Sequence, residues 1–106
     1  MNKKQLKSQL VWLDYLKALD PQKRKQFLLS AKKKHLQFIF DILLNVDKAV
    51  IPVTQDVLQA LSPYKQVIYS LIQPRKSLKK RTKELLKKDY FHLLITPLIG
   101  ALRQQL

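Results

Sequence analysis

Residues 21–45 read PQKRKQFLLSAKKKHLQFIFDILLN, and this stretch decides the fold class. Its apolar residues recur at steps of three and four, which is the spacing of one face of an α-helix. Asp20 precedes Pro21, a pair typical of a helix N-cap followed by the first helical residue. We therefore predict one continuous helix from Pro21 to about Asn45. Its buried stripe would contain Phe27, Leu28, Ala31, His35, Phe38, Ile39, Ile42, Leu43 and Val46.

The same helical spacing extends to both sides of this stretch, and strand-like alternation is absent over any useful length. Thr54, Ser62 and Ser77 are further N-cap candidates, and Pro52 favours an extended connection over residues 47–53. We predict additional helices over residues 2–19, 54–61, 63–72 and 77–88, with Leu6, Leu10, Leu13 and Leu16 as the stripe of the first. The fold class is therefore all-α: a single small domain of about four to six helices, with the short ones in its second half.

The composition excludes several classes of protein. The chain has 106 residues, 46% of them hydrophobic, which is enough for one small core. It has no Cys and one Gly, which excludes disulfide scaffolds, Cys-ligated zinc and glycine-rich phosphate loops. Paired carboxylates and metal-ligand spacings are absent, and His35 is expected to be a satisfied, partly buried histidine. We therefore expect no enzyme activity, no cofactor and no metal.

The net charge is the clearest functional signal. Lys and Arg number 21 against 7 Asp and Glu, a formal charge of +14, which favours an acidic partner such as nucleic acid or an anionic membrane surface. Residues 75–88 concentrate eight cations around one acid, Glu84, and a polyanion would relieve their repulsion. Lysine outnumbers arginine there, which favours phosphate contacts over base reading. The predicted nucleic-acid-binding residues are Arg75, Lys76, Lys79, Lys80, Arg81, Lys83, Lys87 and Lys88, with Lys32, Lys33, Lys34, Lys23, Arg24 and Lys25 as secondary contacts and Lys3, Lys4 and Lys7 as a third cluster.

The apolar residues after the basic run admit two interpretations. Residues 90–102 are apolar nearly all round, with Pro97 expected to bend them. Joined to a basic helix, such a segment suits a membrane surface or another subunit, whereas a small domain also needs apolar surface for its own core. The residues that would form the interface or membrane contact are Tyr90, Phe91, Leu94, Leu98 and Ile99.

The nine aromatic residues could stack on bases in principle, but most fall on the apolar stripes. We therefore predict that Trp12, Phe27 and Phe38 hold the fold or a subunit interface. Phe40, off the main stripe, is a candidate for contact with a partner. Without a secretory signal or a window long enough to span a bilayer, we expect an intracellular protein.

The order of several motifs is also informative: VIPVT at 50–54, LSPYK at 61–65, KSLKKR at 76–81 and LLITPLIG at 93–100. This order resembles a small basic protein encoded by Maverick/Polinton-type DNA transposons and adinto-like viruses of animals, from about residue 40 onward. The resemblance implies a virion-associated protein that condenses the genome or lines the capsid, comparable with the small basic core peptide of adenoviruses.

Together, these features lead us to expect a protein that binds nucleic-acid backbone, with DNA as the expected partner, without strong sequence preference, in the nucleus or a virion. The alternative is a capsid-associated or membrane-active module that acts through its apolar C-terminal segment, as an oligomer or against a capsid protein.

Overall fold

The computed structural model describes residues 3–106, and helices and turns account for the regular structure in that range. The α-helices are α1 (Lys3–Ala18), α2 (Pro21–Leu29), α3 (Lys33–Asp47), α4 (Gln55–Leu61), α5 (Lys65–Leu71), α6 (Leu78–Leu86) and α7 (Ile99–Arg103). Shorter turns cover Ser62–Tyr64, Lys87–Asp89, Phe91–Ile95 and Thr96–Leu98, the third of them π-helical and the others 3-10. The prediction of a small all-α bundle is confirmed. Asn2, the predicted start of the first helix, lies outside the described residues.

The core forms where the apolar stripes of α1 and α3 meet the C-terminal segment. All four leucines predicted for the α1 stripe are buried, and so are Ile39, Ile42 and Leu43 of α3. α7 packs against α1, and an ion pair between Arg103 and Asp14 links the two helices at the surface. The first helix therefore provides one side of the core, as its spacing predicted.

The predicted continuous helix over residues 21–45 is wrong, because the chain turns between α2 and α3. The Ser30 hydroxyl donates hydrogen bonds to the carbonyls of Gln26 (3.2 Å) and Phe27 (3.3 Å), which closes the end of α2. A serine that bonds to the preceding turn offers the backbone an alternative to the helical ladder. Lys32 is then extended (φ −66°, ψ 149°), and α3 starts in a new direction.

This turn changes which side chains are buried. Leu36 and Phe40 of α3 belong to the core although the predicted stripe omitted both. Phe27, which the stripe included, is exposed. The stripe was drawn through one helix, whereas two shorter helices present different faces to the same core. The predicted partner contact of Phe40 is therefore wrong, because its ring is 1% exposed.

Three of the four predicted N-caps are confirmed. Side-chain oxygens accept the expected backbone N–H bonds at Asp20 (from Lys23, 2.9 Å), Thr54 (from Val57, 3.4 Å) and Ser77 (from Lys80, 3.2 Å). Ser62 is the exception. Its backbone is helical (φ −53°, ψ −43°), because it closes α4, whereas an N-cap residue is extended. The chain instead passes through the turn Ser62–Tyr64 before α5 begins at Lys65.

The C-terminal segment is part of the core. Phe91, Leu94, Leu98 and Ile99 are buried, and Tyr90 is half-buried with its ring edge-to-face with Tyr64. Four of the five residues predicted for an interface or membrane contact are thus enclosed by this chain itself. The alternative that the small core needs this apolar surface is the one the structure supports. Across residues 3–106, none of the helices has both the length and the apolar character that crossing a bilayer requires.

Candidate nucleic-acid interface

Helix α6 docks on the bundle through a narrow stripe. Leu78, Thr82 and Leu85 lie three or four residues apart and therefore share one face, which packs towards α2, α3 and α5. Thr82 and Leu85 are buried, and the Thr82 hydroxyl donates to the Leu78 carbonyl (2.8 Å) rather than remaining unsatisfied. Because this face packs on the bundle, the opposite side of the helix faces solvent.

The solvent side of α6 carries lysines. Lys79 and Lys83 lie one turn apart with Lys80 between them, and all three are exposed. Lys87 and Lys88 follow in the turn after the helix and are exposed too. Within the described part of the chain, no carboxylate lies within ion-pair distance of these lysines. We call Lys79, Lys80, Lys83, Lys87 and Lys88 the α6 lysine ridge.

Helix α2 adds one of its predicted cations to this ridge. Lys25 lines the same surface cleft as Leu86 and Asp89, so it lies beside the end of α6. Lys23 is also exposed, but two residues along a helix turn the side chain by about 200°, towards the other flank of α2. The structure therefore joins Lys25 to the ridge and places Lys23 nearer α1.

The predicted nucleic-acid contact of Arg24 is wrong, because its side chain is buried and hydrogen-bonded within the fold. Its guanidinium donates to the carbonyls of Leu16 (2.9 Å) and Leu19 (2.7 Å) and to the carboxylate of Asp89 (2.6 Å). Arg24 is 4% exposed and joins the end of α1 to the turn after α6. The spacing contained a signal for this, since Arg24 lies four residues before the buried Leu28 and so shares its face.

Arg81 and Lys76 are also engaged within the fold. The Arg81 guanidinium lies over the Phe40 ring, 4.9 Å from its centroid, and its buried Nε has no hydrogen-bond partner among residues 3–106. A cation over an aromatic face is stabilised by the ring quadrupole. Lys76 donates to Glu84 (3.1 Å) and to Ser70. Both side chains are half-buried, so of the eight predicted cations only Arg75 and the ridge lysines are fully available to a partner.

The acid in this run, Glu84, serves the fold. Partial burial by itself would raise its pKa, but hydrogen bonds from Ser70 and Lys76, together with the charges of Lys76 and Lys87, lower the pKa below its ordinary value. Glu84 therefore stays ionised and pairs with Lys76, and among the ridge lysines its charge also acts on Lys87, although the two form no ion pair.

The α3 lysines and the N-terminal lysine cluster come together at the N-terminal end of α3. Lys32, Lys33 and Lys34 are exposed at the start of this helix, and Lys34 lines the same cleft as Lys4 of α1. The first turn of α3 holds no acidic residue, and Lys32 makes no side-chain cap bond. Cations at the positive end of a helix dipole are unfavourable, so this second basic surface also favours a bound anion.

His35 behaves as the sequence predicted. Its Nδ1 lies 3.0 Å from Gln9 Oε1, and its ring stacks on Trp12 with a centroid separation of 4.7 Å. Burial, followed by the nearby charges of Lys34 and Lys32, lowers the pKa of His35 below its ordinary value. The neutral imidazole is thus a packed and hydrogen-bonded group between α1 and α3.

The arrangement as a whole can hold an anion by charge. The ridge and Lys25 form one basic surface, and Lys4 with the α3 lysines forms another. No protein-family model matches the chain, and neither a curated protein nor a solved structure matches it. The charges and contacts of the chain itself therefore carry the functional interpretation.

Proposed function

We propose that the protein binds nucleic-acid backbone without strong sequence preference, with the α6 lysine ridge as the main contact. The observation that carries this proposal is the position of Lys79, Lys80 and Lys83 on the solvent side of one helix, unpaired with any carboxylate of residues 3–106. Like charges one turn apart destabilise a helix by a few tenths of a kcal/mol per pair, about 0.2–0.5. A polyanion removes that repulsion.

The chemistry of the ridge suits phosphate rather than base edges. Each lysine is a point charge on a flexible stem, whereas base reading in the major groove relies mainly on planar, bidentate groups. Lysines that neutralise phosphates release the condensed counterions of the nucleic acid, and this release supplies affinity for every sequence alike. Of the arginines predicted to make contact, Arg24 and Arg81 are engaged inside the fold, and Arg75 is exposed.

The acidic residues do not oppose this contact, because several of them serve the fold instead. Asp89 and Asp14 pair with arginines, Glu84 pairs with Lys76, and Asp20 caps α2. Four of the seven acidic residues are thus used in a helix cap or in ion pairs. Of the 21 cations, the structure leaves the great majority exposed.

The test is a salt titration of binding to a mixed-sequence 20-base-pair DNA duplex, measured by fluorescence anisotropy. The ridge variant is Lys79→Gln/Lys80→Gln/Lys83→Gln. We expect weaker binding and a log affinity–log salt slope that is shallower by about 2–3, because each lost phosphate contact removes about 0.9.

The matched control is Lys17→Gln/Lys48→Gln/Lys65→Gln, which removes the same charge from three exposed lysines outside both basic surfaces. We expect this control to retain most of the affinity and slope. Equal losses in the two variants would contradict the proposal, since they would mean that net charge alone governs binding. Circular dichroism melting confirms that both variants remain folded.

We extend the proposal to the setting that the family resemblance implies, a virion in which the protein condenses the genome. The KSLKKR motif at 76–81, one of the most specific parts of that resemblance, contains the first two lysines of the ridge. Nuclease treatment of disrupted particles tests this setting. We expect the protein to sediment with the genome before digestion and to be released after it. Retention on the capsid shell after digestion would favour a capsid partner instead.

A further inference from the structure

A second surface feature is a group of aromatic rings where α1, α2 and α3 meet. Tyr15 and Phe27 lie edge to face with centroids 5.2 Å apart, and they are 50% and 43% exposed. Trp12 stacks on His35, and both are half-buried. Trp12 and Tyr15 are three residues apart on α1, so the two pairs are neighbours along one side of that helix. We call Trp12, Tyr15, Phe27 and His35 the aromatic patch.

Cations border this patch. Lys23 lies one turn before Phe27 on α2 and is exposed. Lys32 and Lys34 are exposed beside His35, close enough that their charges contribute to lowering its pKa. Flat rings that remain in solvent between positive charges are the combination by which proteins hold single strands, since the cations follow the backbone and the rings stack on bases.

We propose that the aromatic patch stacks on unpaired bases, so that the protein binds single strands and unpaired segments more tightly than a fully paired duplex. This inference rests on the proposed function and adds the substrate class. Every base has a π-face, so stacking preserves the lack of sequence preference. A duplex hides those faces, so the patch would discriminate between paired and unpaired strands.

The charges around the patch argue for nucleic acid rather than a second copy of the chain as its occupant. Two patches facing each other would bring Lys23, Lys32 and Lys34 of both copies together, and like charges across an interface are unfavourable. A polyanion meets the same lysines with complementary charge. The rings then need an apolar, flat surface within that polyanion, which the bases provide.

The experiment compares three fluorescent probes: a 20-nucleotide oligo-dT, an abasic oligomer of the same length and a 20-base-pair duplex. The test variant is Tyr15→Ala/Phe27→Ala. We expect it to bind oligo-dT about tenfold more weakly or worse, because stacking of one base on an aromatic side chain contributes about fivefold or more and the variant removes two rings. Binding to the abasic oligomer and to the duplex, and the salt slope, should not change.

Two further variants make the result specific. Leu29→Ala/Val50→Ala removes two exposed apolar side chains outside the patch and should not alter binding to any probe. Tyr15→Phe retains the ring and should bind oligo-dT like the native chain. Trp12, the single tryptophan of the sequence, should be quenched by oligo-dT and not by the abasic oligomer.

The outcomes separate this inference from the proposed function. If the ridge variant changes no probe, the proposed function fails. If the ridge variant weakens every probe but Tyr15→Ala/Phe27→Ala binds oligo-dT like the native chain, only the stacking inference is overturned. A loss that is equal on oligo-dT and on the abasic oligomer overturns it as well. The stacking inference is also overturned if Tyr15→Ala/Phe27→Ala changes the oligomeric state, measured by sedimentation, while its affinity for oligo-dT is retained. The patch would then be a self-association surface.

Discussion

Helix α6 and the segment that follows it are adjacent in the sequence and have opposite roles in the structure. The ridge lysines of α6 lie in solvent, whereas Phe91, Leu94 and Leu98, a few residues later, lie in the core. Each region was a candidate for partner contact from its sequence alone. The difference shows that a charged helix with a narrow apolar stripe leaves its surface free for a partner. An apolar segment in a small domain is instead consumed by folding.

The turn Lys87–Asp89 separates the exposed lysines of α6 from the buried C-terminal segment. Lys88 and Asp89 both have positive φ (51° and 52°), a conformation that costs non-glycine residues energy. Asp89 is held there by its ion pair with Arg24. The fold therefore uses a cation that the sequence predicted for nucleic-acid contact to fix the point at which the chain enters the core.

The largest expected effect on stability comes from truncating a buried side chain in the C-terminal segment. Leu94→Ala removes a fully buried side chain and should lower the free energy of unfolding by about 3 kcal/mol, within the usual range of about 2–5. Urea denaturation followed by circular dichroism measures this loss. Leu93→Ala, at the half-buried neighbouring position, should cost clearly less. Equal and small losses in both variants would show that the C-terminal segment is not packed in this chain's core.

The next effect tests the link between the two regions. Arg24→Ala leaves the carbonyls of Leu16 and Leu19 and the Asp89 carboxylate without their donor. We expect a loss of about 2–3 kcal/mol in unfolding free energy, below the about 3–5 typical of breaking a fully buried pair, because Asp89 retains access to water.

Lys25→Ala is the matched control for Arg24→Ala, since it removes a cation from the next, exposed position. Its unfolding free energy should remain within about 0.5 kcal/mol of the native value. In DNA binding the order should reverse, with Lys25→Ala reducing affinity and Arg24→Ala leaving it near the native level at temperatures where the variant is folded. Similar stability in the two variants would contradict the structural role of Arg24.

These contrasts also show how far the sequence could predict the molecule. The ridge was predictable because its determinants are local: eight cations lie within residues 75–88, and Ser77 caps the helix. The ion pair of Arg24 was not predictable, because its partner Asp89 lies 65 residues away and only the packing of α2 beside α6 brings them together. A charge pattern does not distinguish a cation that meets solvent from one that meets a distant carboxylate.

The aromatic patch was missed for a related reason. Phe27 fell on the predicted stripe because the stripe assumed one helix from residue 21 to 45. Once the Ser30 hydroxyl bonds to the preceding turn, α2 ends at Leu29, and Leu28 is the residue that reaches the core. The signal was present in the serine, which competes for backbone carbonyls, but the apolar periodicity on both sides of it is equally strong.

The smallest expected effect concerns the turn after α6, where glycine substitutions at the neighbouring residues Lys87 and Lys88 should change the unfolding free energy in opposite directions. Lys88→Gly relieves a positive φ and should raise the unfolding free energy by about 0.5–1 kcal/mol, because glycine adopts this conformation without a Cβ penalty. Lys87 has φ −68°, so Lys87→Gly only adds freedom to the unfolded chain and should lower it by about 0.5 kcal/mol. Each variant removes one ridge lysine, so the two should lose similar DNA affinity while their stabilities diverge. Stabilities that move in the same direction would show that the backbone at Lys88 is not held in the positive-φ conformation that marks the boundary between the two regions.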